Sequence, residues 1–209
     1  VKHPLIQQRY PLLVTACKTV GSLQLRNRAT IGGNIVNAAP CADSMPPLII
    51  YEAEVELRSA RGTRRMPVSE FVIGGYRTLL EPDELIIRFI LPAPTQQPLI
   101  NRYLQLGRRN ALNITRQSLT GQFMVDKGVV RLCRLVDGAL LAKPQRLLEV
   151  EQALIGRTLD AATIDYAAGV LHARVEKAIG GRWSAPYKVP VFIDMFRQML
   201  QEVMTEQKK

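Results

Sequence analysis

Between residues 25 and 44 the chain gathers the side chains that can hold a phosphorylated ligand. The string Leu25-Arg26-Asn27-Arg28-Ala29-Thr30-Ile31-Gly32-Gly33-Asn34-Ile35 sets two cations ahead of a hydroxyl, a glycine pair and an amide. It runs on through Val36-Asn37-Ala38-Ala39-Pro40-Cys41-Ala42-Asp43-Ser44. Paired glycines lack Cβ atoms and admit positive φ, so the backbone can approach a ligand closely. Successive N–H groups in such a turn form a concave anion site, to which Thr30 and Asn34 add hydroxyl and amide donors. Asp43 is an acceptor suited to sugar or ribityl hydroxyls. The same string also reads as a glycine turn between apolar segments, and a bare Gly-Gly does not separate the two readings.

Other reactive residue types are sparse. Cys17, Cys41 and Cys133 are far apart, and His3 and His172 are isolated, so no iron–sulfur or zinc site assembles with sensible spacing. Cys41 lies within the glycine-containing stretch, but nothing nearby is a base that would make it a nucleophile. The net charge of +10 raises nucleic acid as a partner, yet the cations come as short pairs (Arg64-Arg65, Arg108-Arg109, Lys208-Lys209) among acids. Aromatic residues make up 6% of the chain, too few for a base-stacking platform. A basic face that docks an acidic subunit or attracts phosphates is the better use of that field. Hydrophobic content of 47% over 209 residues is enough for a real core, and no apolar run has the length of a membrane span. Reduced thiols fit a cytoplasmic protein.

Several elements must position the glycine stretch. Residues 4–21 have helical apolar spacing and stop at Gly21, while 44–51 read as a short helix with proline near its start. Residues 53–59 alternate as a half-exposed strand, Arg61-Gly62 turns, and 63–68 return. Gly74-Gly75 reads as a bend, and 85–91 as a buried strand containing Ile86. The proline-rich run 92–98 is the clearest linker, which divides the chain into domains at 1–95 and 99–209. Beyond it come strands at 99–106, 118–125 and 129–136, the last two joined by Asp126-Lys127-Gly128. Helices are predicted at 144–155, at 160–179 with Asp160 or Thr163 as cap, and at 187–204. In the last of these Val191, Ile193, Met195, Phe196, Met199 and Leu200 do not fall on one stripe, which predicts burial on more than one face.

Taken whole, the run from Leu25-Arg26-Asn27 through Thr30-Ile31-Gly32-Gly33-Asn34-Ile35, Asn37-Ala38-Ala39-Pro40 and Ala42-Asp43-Ser44 resembles the flavin-binding segment of the molybdenum hydroxylase FAD domain. That family includes the FAD subunits of xanthine dehydrogenase and the medium subunit of aerobic carbon monoxide dehydrogenase. The resemblance implies an α+β fold: the antiparallel-sheet portion of a PCMH-type FAD-binding domain, then a C-terminal domain of a three-stranded antiparallel sheet and a three-helix bundle. It implies FAD as cofactor, with Thr30, Ile31, Gly32, Gly33 and Asn34 around the pyrophosphate and Asp43 at ribityl or ribose hydroxyls. Val20 and Ile86 align with positions that touch the flavin. The arginine pair Arg108-Arg109 resembles a loop close to the flavin ring, where a cation favours the reduced, anionic form. Asn113 stands where many members have Asp, and Leu104 where some have Lys.

By the same resemblance the activity is that of an electron-transfer flavoprotein. Electrons leave a substrate at molybdopterin on a large subunit, pass through 2Fe–2S clusters on a small subunit to FAD, and go on to NAD or another acceptor. Family members also carry an upstream subdomain with an Ala-Gly-Gly-Thr-like loop that completes the pyrophosphate cradle. That string is not in these residues, so the expectation is a truncated chain or a separate chain that supplies the subdomain, and weak binding of FAD by this chain alone. Two other functional classes stand beside this one: an assembly subunit that has lost its flavin, and a basic nucleic-acid-binding module. Flavin content of the complex separates the first, and a gel shift at two ionic strengths the second.

Overall fold

The structure, a computed structural model, describes residues 2–94, 98–107 and 114–207. It begins with α1 (Pro4–Arg9), α2 (Pro11–Thr19), α3 (Leu23–Arg28), α4 (Ile31–Asn37) and α5 (Met45–Ile50). Residues 4–21, expected as one helix, break at Tyr10, whose φ of −133° and ψ of 57° are not helical. Pro11 is the cause: it has no N–H to continue the ladder, and its ring drives the preceding residue out of the α region.

An antiparallel sheet follows, with β1 (Glu54–Ser59) paired to β2 (Gly62–Pro67). After α6 (Val68–Phe71) comes a hairpin of β3 (Val72–Gly74) and β4 (Arg77–Thr78). β5 (Leu85–Ile90) then pairs with the other side of β1, giving the order β2-β1-β5. The second glycine pair does bend the chain. Tyr76, at φ 58°, completes that bend, and its N–H donates to the carbonyl of Ala38 at 2.7 Å, pinning the hairpin to the end of α4.

Two expectations for this sheet change. β1 is buried at three successive residues, Val55, Glu56 and Leu57, instead of alternating. Glu56 tolerates this because Arg65 on β2 and Arg88 on β5 stand opposite it and reach its carboxylate at 2.5 and 3.0 Å. The bonds from Arg88 and Arg65 hold that carboxyl below the usual range. β5, expected to be buried, is an edge strand: Leu85 is 70% and Ile87 46% exposed. An apolar run alone does not distinguish a central strand from an edge.

The second half is built on the order β6-β7-β8, from Ile100–Gly107, Thr115–Asp126 and Val129–Gly138. Lys127 at φ 49° and Gly128 at φ 80° make the two-residue turn that joins the last pair with the twist its strands need. Against one face lie α7 (Leu148–Leu154), α8 (Ala161–Ile179) and α9 (Ala185–Glu206), with Leu119 and Phe123 in their common core. At Gly121 a Cβ would stand 2.6 Å from the Phe123 ring and 2.7 Å from the Met199 sulfur, so the strand needs glycine there. The opposite face turns toward the first half, where Val136 and Tyr103 join the cluster of Leu12, Ile35, Leu48 and Phe71.

Asp160 caps α8, accepting from the N–H of Thr163 at 2.8 Å. The helix expected over 144–155 begins only at Leu148, because the preceding residues extend the sheet: Leu147 N–H donates to Leu135 and Arg146 bridges Val136. α9 is buried over a broad face: Val189, Phe192, Ile193, Met195, Phe196, Met199, Leu200 and Val203 are buried, and Val191 is only partly buried. No described helix is long and apolar enough to cross a membrane.

Asp137, at the end of β8, shapes the turn that leads to α7. Its two carboxylate oxygens accept from the N–H groups of Leu141 at 3.0 Å and Gln145 at 3.1 Å. Burial nevertheless pushes its pKa from 3.8 up to about 7. Between those two values the folded state holds a proton that the unfolded chain releases, so this contribution to stability is full below the lower value and is lost as pH rises through the upper. The melting temperature is expected to fall between about pH 4 and about pH 7, and Asp137→Asn, which does not ionise, to flatten that slope. An unchanged slope in the variant contradicts this.

Candidate functional site

The glycine pair does not use the positive φ open to it. Gly32 and Gly33 occupy the first turn of α4, and neither is among the residues with positive φ. The residues before them explain why. Thr30 is extended (φ −119°, ψ 154°), and its Oγ1 accepts from Gly33 N–H at 3.0 Å, the bond of an N-cap. The carbonyl of Thr30 accepts from Asn34 N–H at 3.1 Å. The amides of Ile31 and Gly32, at the first two helical positions, have no carbonyl available within the helix. α4 ends at Ala38, which takes the left-handed conformation at φ 45°.

A groove of about 510 Å³ opens beside this turn, lined by Thr30, Ile31, Gly33 and Asn34 together with Val20, Cys17, Arg26, Arg28, Ala29, Asn37 and Ser44. Its size is that of a small-molecule or cofactor cleft. Of the eight residues expected at the cofactor, the structure gathers Val20, Thr30, Ile31, Gly33 and Asn34 on this wall. Gly32 contributes backbone at the same turn without lining the groove. A Cβ on Gly33 would meet Thr30 Oγ1 at 3.2 Å, so a side chain there crowds the capping hydroxyl. The two cations differ in role. Arg26 donates to the carbonyls of Val20 and Gly21 at 2.9 and 3.0 Å, tying α3 to the end of α2. Arg28 is exposed at the groove, with no ion-pair partner among the described residues.

Three expected residues also make contacts within the chain. Asn34 donates through Nδ2 to Ser44 Oγ at 2.7 Å, fastening α4 to the start of α5. Asp43 is buried and faces the second half of the chain. Its Oδ1 accepts from Tyr103 OH at 3.0 Å and Thr115 Oγ1 at 2.7 Å, and its Oδ2 from Gln105 Nε2 at 3.4 Å. Gln105 also donates to Thr115. Burial raises the pKa of Asp43, against the bonds from Thr115 and Tyr103. The same burial, with the Asp43 charge beside it, moves Tyr103 upward too. Ile86 packs as a partly buried residue against the first core, opposite Leu57, and does not line the groove. Arg108, Arg109 and Asn113 lie outside the described residues, as does part of the 92–98 run.

The groove residues that sequence reasoning did not assign were Cys17, Arg26, Arg28, Ala29, Asn37 and Ser44. The basic lead-in contained the two arginines, and Ala29, Asn37 and Ser44 stood in the same run without a role. Cys17 follows only from the packing of α2 against that run. Cys17, Cys41 and Cys133 are free thiols, and burial raises the pKa of Cys17 and Cys41, so neither is an activated nucleophile. Among the described residues no group of three or more His, Cys, Asp or Glu could hold a metal ion.

Residues 1–94 match the family model of the FAD binding domain in molybdopterin dehydrogenase, and residues 103–203 that of the CO dehydrogenase flavoprotein C-terminal domain. The chain therefore belongs to the FAD-binding subunits and domains of the molybdenum hydroxylases, and is an oxidoreductase flavoprotein component. Among particular relatives, it is 27% identical over 204 residues to a xanthine dehydrogenase FAD-binding subunit of Escherichia coli, covering 98% of this chain and 70% of that one. It is 29% identical over 211 residues to the nicotinate dehydrogenase FAD-subunit of Eubacterium barkeri, again covering 98% and 70%. The solved carbon monoxide dehydrogenase of Hydrogenophaga pseudoflava, in a form lacking the Mo-pyranopterin moiety, superposes with a TM-score of 0.84 at 29% identity, over 94% of this chain and 68% of that one.

The glycine turn generates a paired prediction. Thr30→Ala removes the cap of α4, at a cost of about 1 kcal/mol, and is expected to lower flavin content in part. Gly33→Val crowds Thr30 and the groove wall and is expected to abolish it, with the circular dichroism of the fold retained. Flavin absorbance per mole of protein reads both. Full flavin content in Gly33→Val contradicts the placement of the ligand.

Proposed function

We propose that this chain is the electron-transferring FAD component of a molybdenum hydroxylase complex. In that complex a large subunit carries molybdopterin and a small subunit carries 2Fe–2S clusters, and NAD or another acceptor takes the electrons. One observation carries the reading: the groove beside Thr30–Asn34 lies within the residues matched by the FAD-domain family model. The donor set suits the cofactor. Ile31 on the groove wall and Gly32 in the same turn have amides without an intrahelical acceptor, and Arg28 lines the same groove; together they answer a pyrophosphate, which needs N–H donors and a positive field. Val20 and Ile31 offer apolar surface to a ring system.

FAD, when bound, supplies a two-electron acceptor that can pass its electrons on. The chain's own part is positional. Thr30 holds the first turn of α4 rigid, Arg26 fixes α3 against α2, and Asp43 locks the segment between α4 and α5 to the sheet of the second half. The free thiols fit a cytoplasmic setting.

Anaerobic stopped-flow spectroscopy of the assembled complex tests this reading. Substrate is expected to bleach the flavin band and NAD to restore it. A complex carrying Gly33→Val is expected to reduce an artificial dye from its metal centres while losing NAD reduction. NAD reduction at the full rate by the flavin-free complex contradicts the proposal.

A further inference from the structure

At the start of α9, on the second half of the chain, Trp183 is 91% exposed. Tyr187, one turn into the same helix, is 47% exposed. Three cations accompany them. The Arg116 guanidinium lies 5.7 Å from the centroid of the Tyr187 ring. Lys188 Nζ donates to the carbonyl of Ala139 at 2.9 Å, and Arg182 donates to that of Leu140 at 3.3 Å, so both are anchored on one turn. None of the three makes an ion pair with a carboxylate among the described residues, although Arg61, Arg64, Arg65, Arg88, Arg102, Arg134, Arg146, Arg174 and Arg197 all do. Burial lowers the pKa of Lys188, and the Arg182 and Arg116 charges beside it lower it further.

Exposed tryptophan, tyrosine and arginine together are the composition of a protein interface centre, not of an ordinary solvated surface. A residue as exposed as Trp183 projects from the surface and does not line a cleft, whereas small-molecule sites are concave. Uncompensated positive charge around it selects an acidic partner.

We propose that Arg116, Arg182, Trp183, Tyr187 and Lys188 form the surface on which an acidic partner subunit of the complex docks, with Trp183 seated in an apolar socket of that partner. This rests on the complex inferred above. Anchoring of Arg182 and Lys188 to the Ala139–Leu140 turn pre-orders the cations, so little side-chain freedom is lost on docking.

The test compares the free chain with the purified complex by hydrogen–deuterium exchange and by sedimentation at low and high salt. The segment 180–190 is expected to exchange more slowly in the complex. Arg182→Glu and Trp183→Ala are each expected to weaken assembly roughly tenfold or more, and Arg182→Glu also to reduce its salt dependence, with the melting temperature of the chain unchanged. Equal exchange at 180–190 in both states, or protection there only by a second copy of this chain or by added nucleic acid, overturns the inference. Flavin content, measured on the same samples, keeps the two ideas apart. Normal assembly of the variants in a flavin-containing complex sinks only the docking surface, whereas a flavin-free complex sinks the proposed function whatever the assembly result.

Discussion

The structure depends on holding a glycine pair in a helical turn it would not keep alone. Each glycine costs a helix about 1 kcal/mol relative to alanine, and α4 has seven residues, well below the length at which a helix sustains itself. The turn is fixed from outside. Thr30 caps it at one end, Asn34 bonds Ser44 across to α5, and Tyr76 of the β3–β4 hairpin bonds Ala38 at the other end. Two glycines in that position leave bare backbone beside a groove, which larger side chains would fill. A local instability is offset by tertiary bonds, and accessible amides are the result.

Asp43 extends the same logic across the chain. It follows α4 by a few residues, yet all its partners, Tyr103, Gln105 and Thr115, belong to the second sheet. A carboxylate with three donors can remain buried where an unpartnered one could not. The segment between α4 and α5 and the second sheet are thereby coupled. Ser44 stands next in sequence and bonds Asn34, so a short covalent and hydrogen-bonded path leads from the glycine turn to β7.

Much of this was legible in the sequence. The Thr30–Asn34 string identified the stretch around which the groove forms, and Asp126-Lys127-Gly128 and Asp160 marked the hairpin turn and the helix cap that the structure contains. What the string did not give was its conformation. Gly-Gly permits both a positive-φ turn and a helical one, and the choice was made by Thr30 and by partners distant in sequence. The partners of Asp43 were unreadable for the same reason, since a short acidic side chain among small residues looks solvent-facing until a sheet some sixty residues away closes over it. The break at Tyr10 was the more readable miss, because Tyr10-Pro11 carries its own steric instruction. The edge position of β5 was not readable, since strand order is a property of the whole sheet.

The central claim is that the backbone at the head of α4 meets the bridging phosphates of a dinucleotide. Nitrogen-15 labelling of glycine and an NMR titration with FAD address it directly, and the method works even where binding is weak. The account predicts that the amide proton of Gly32, without an intrahelical acceptor, moves downfield as FAD is added, and that Gly33, already bonded to Thr30, moves less. A flavin that binds while the Gly32 resonance stays in place would contradict it.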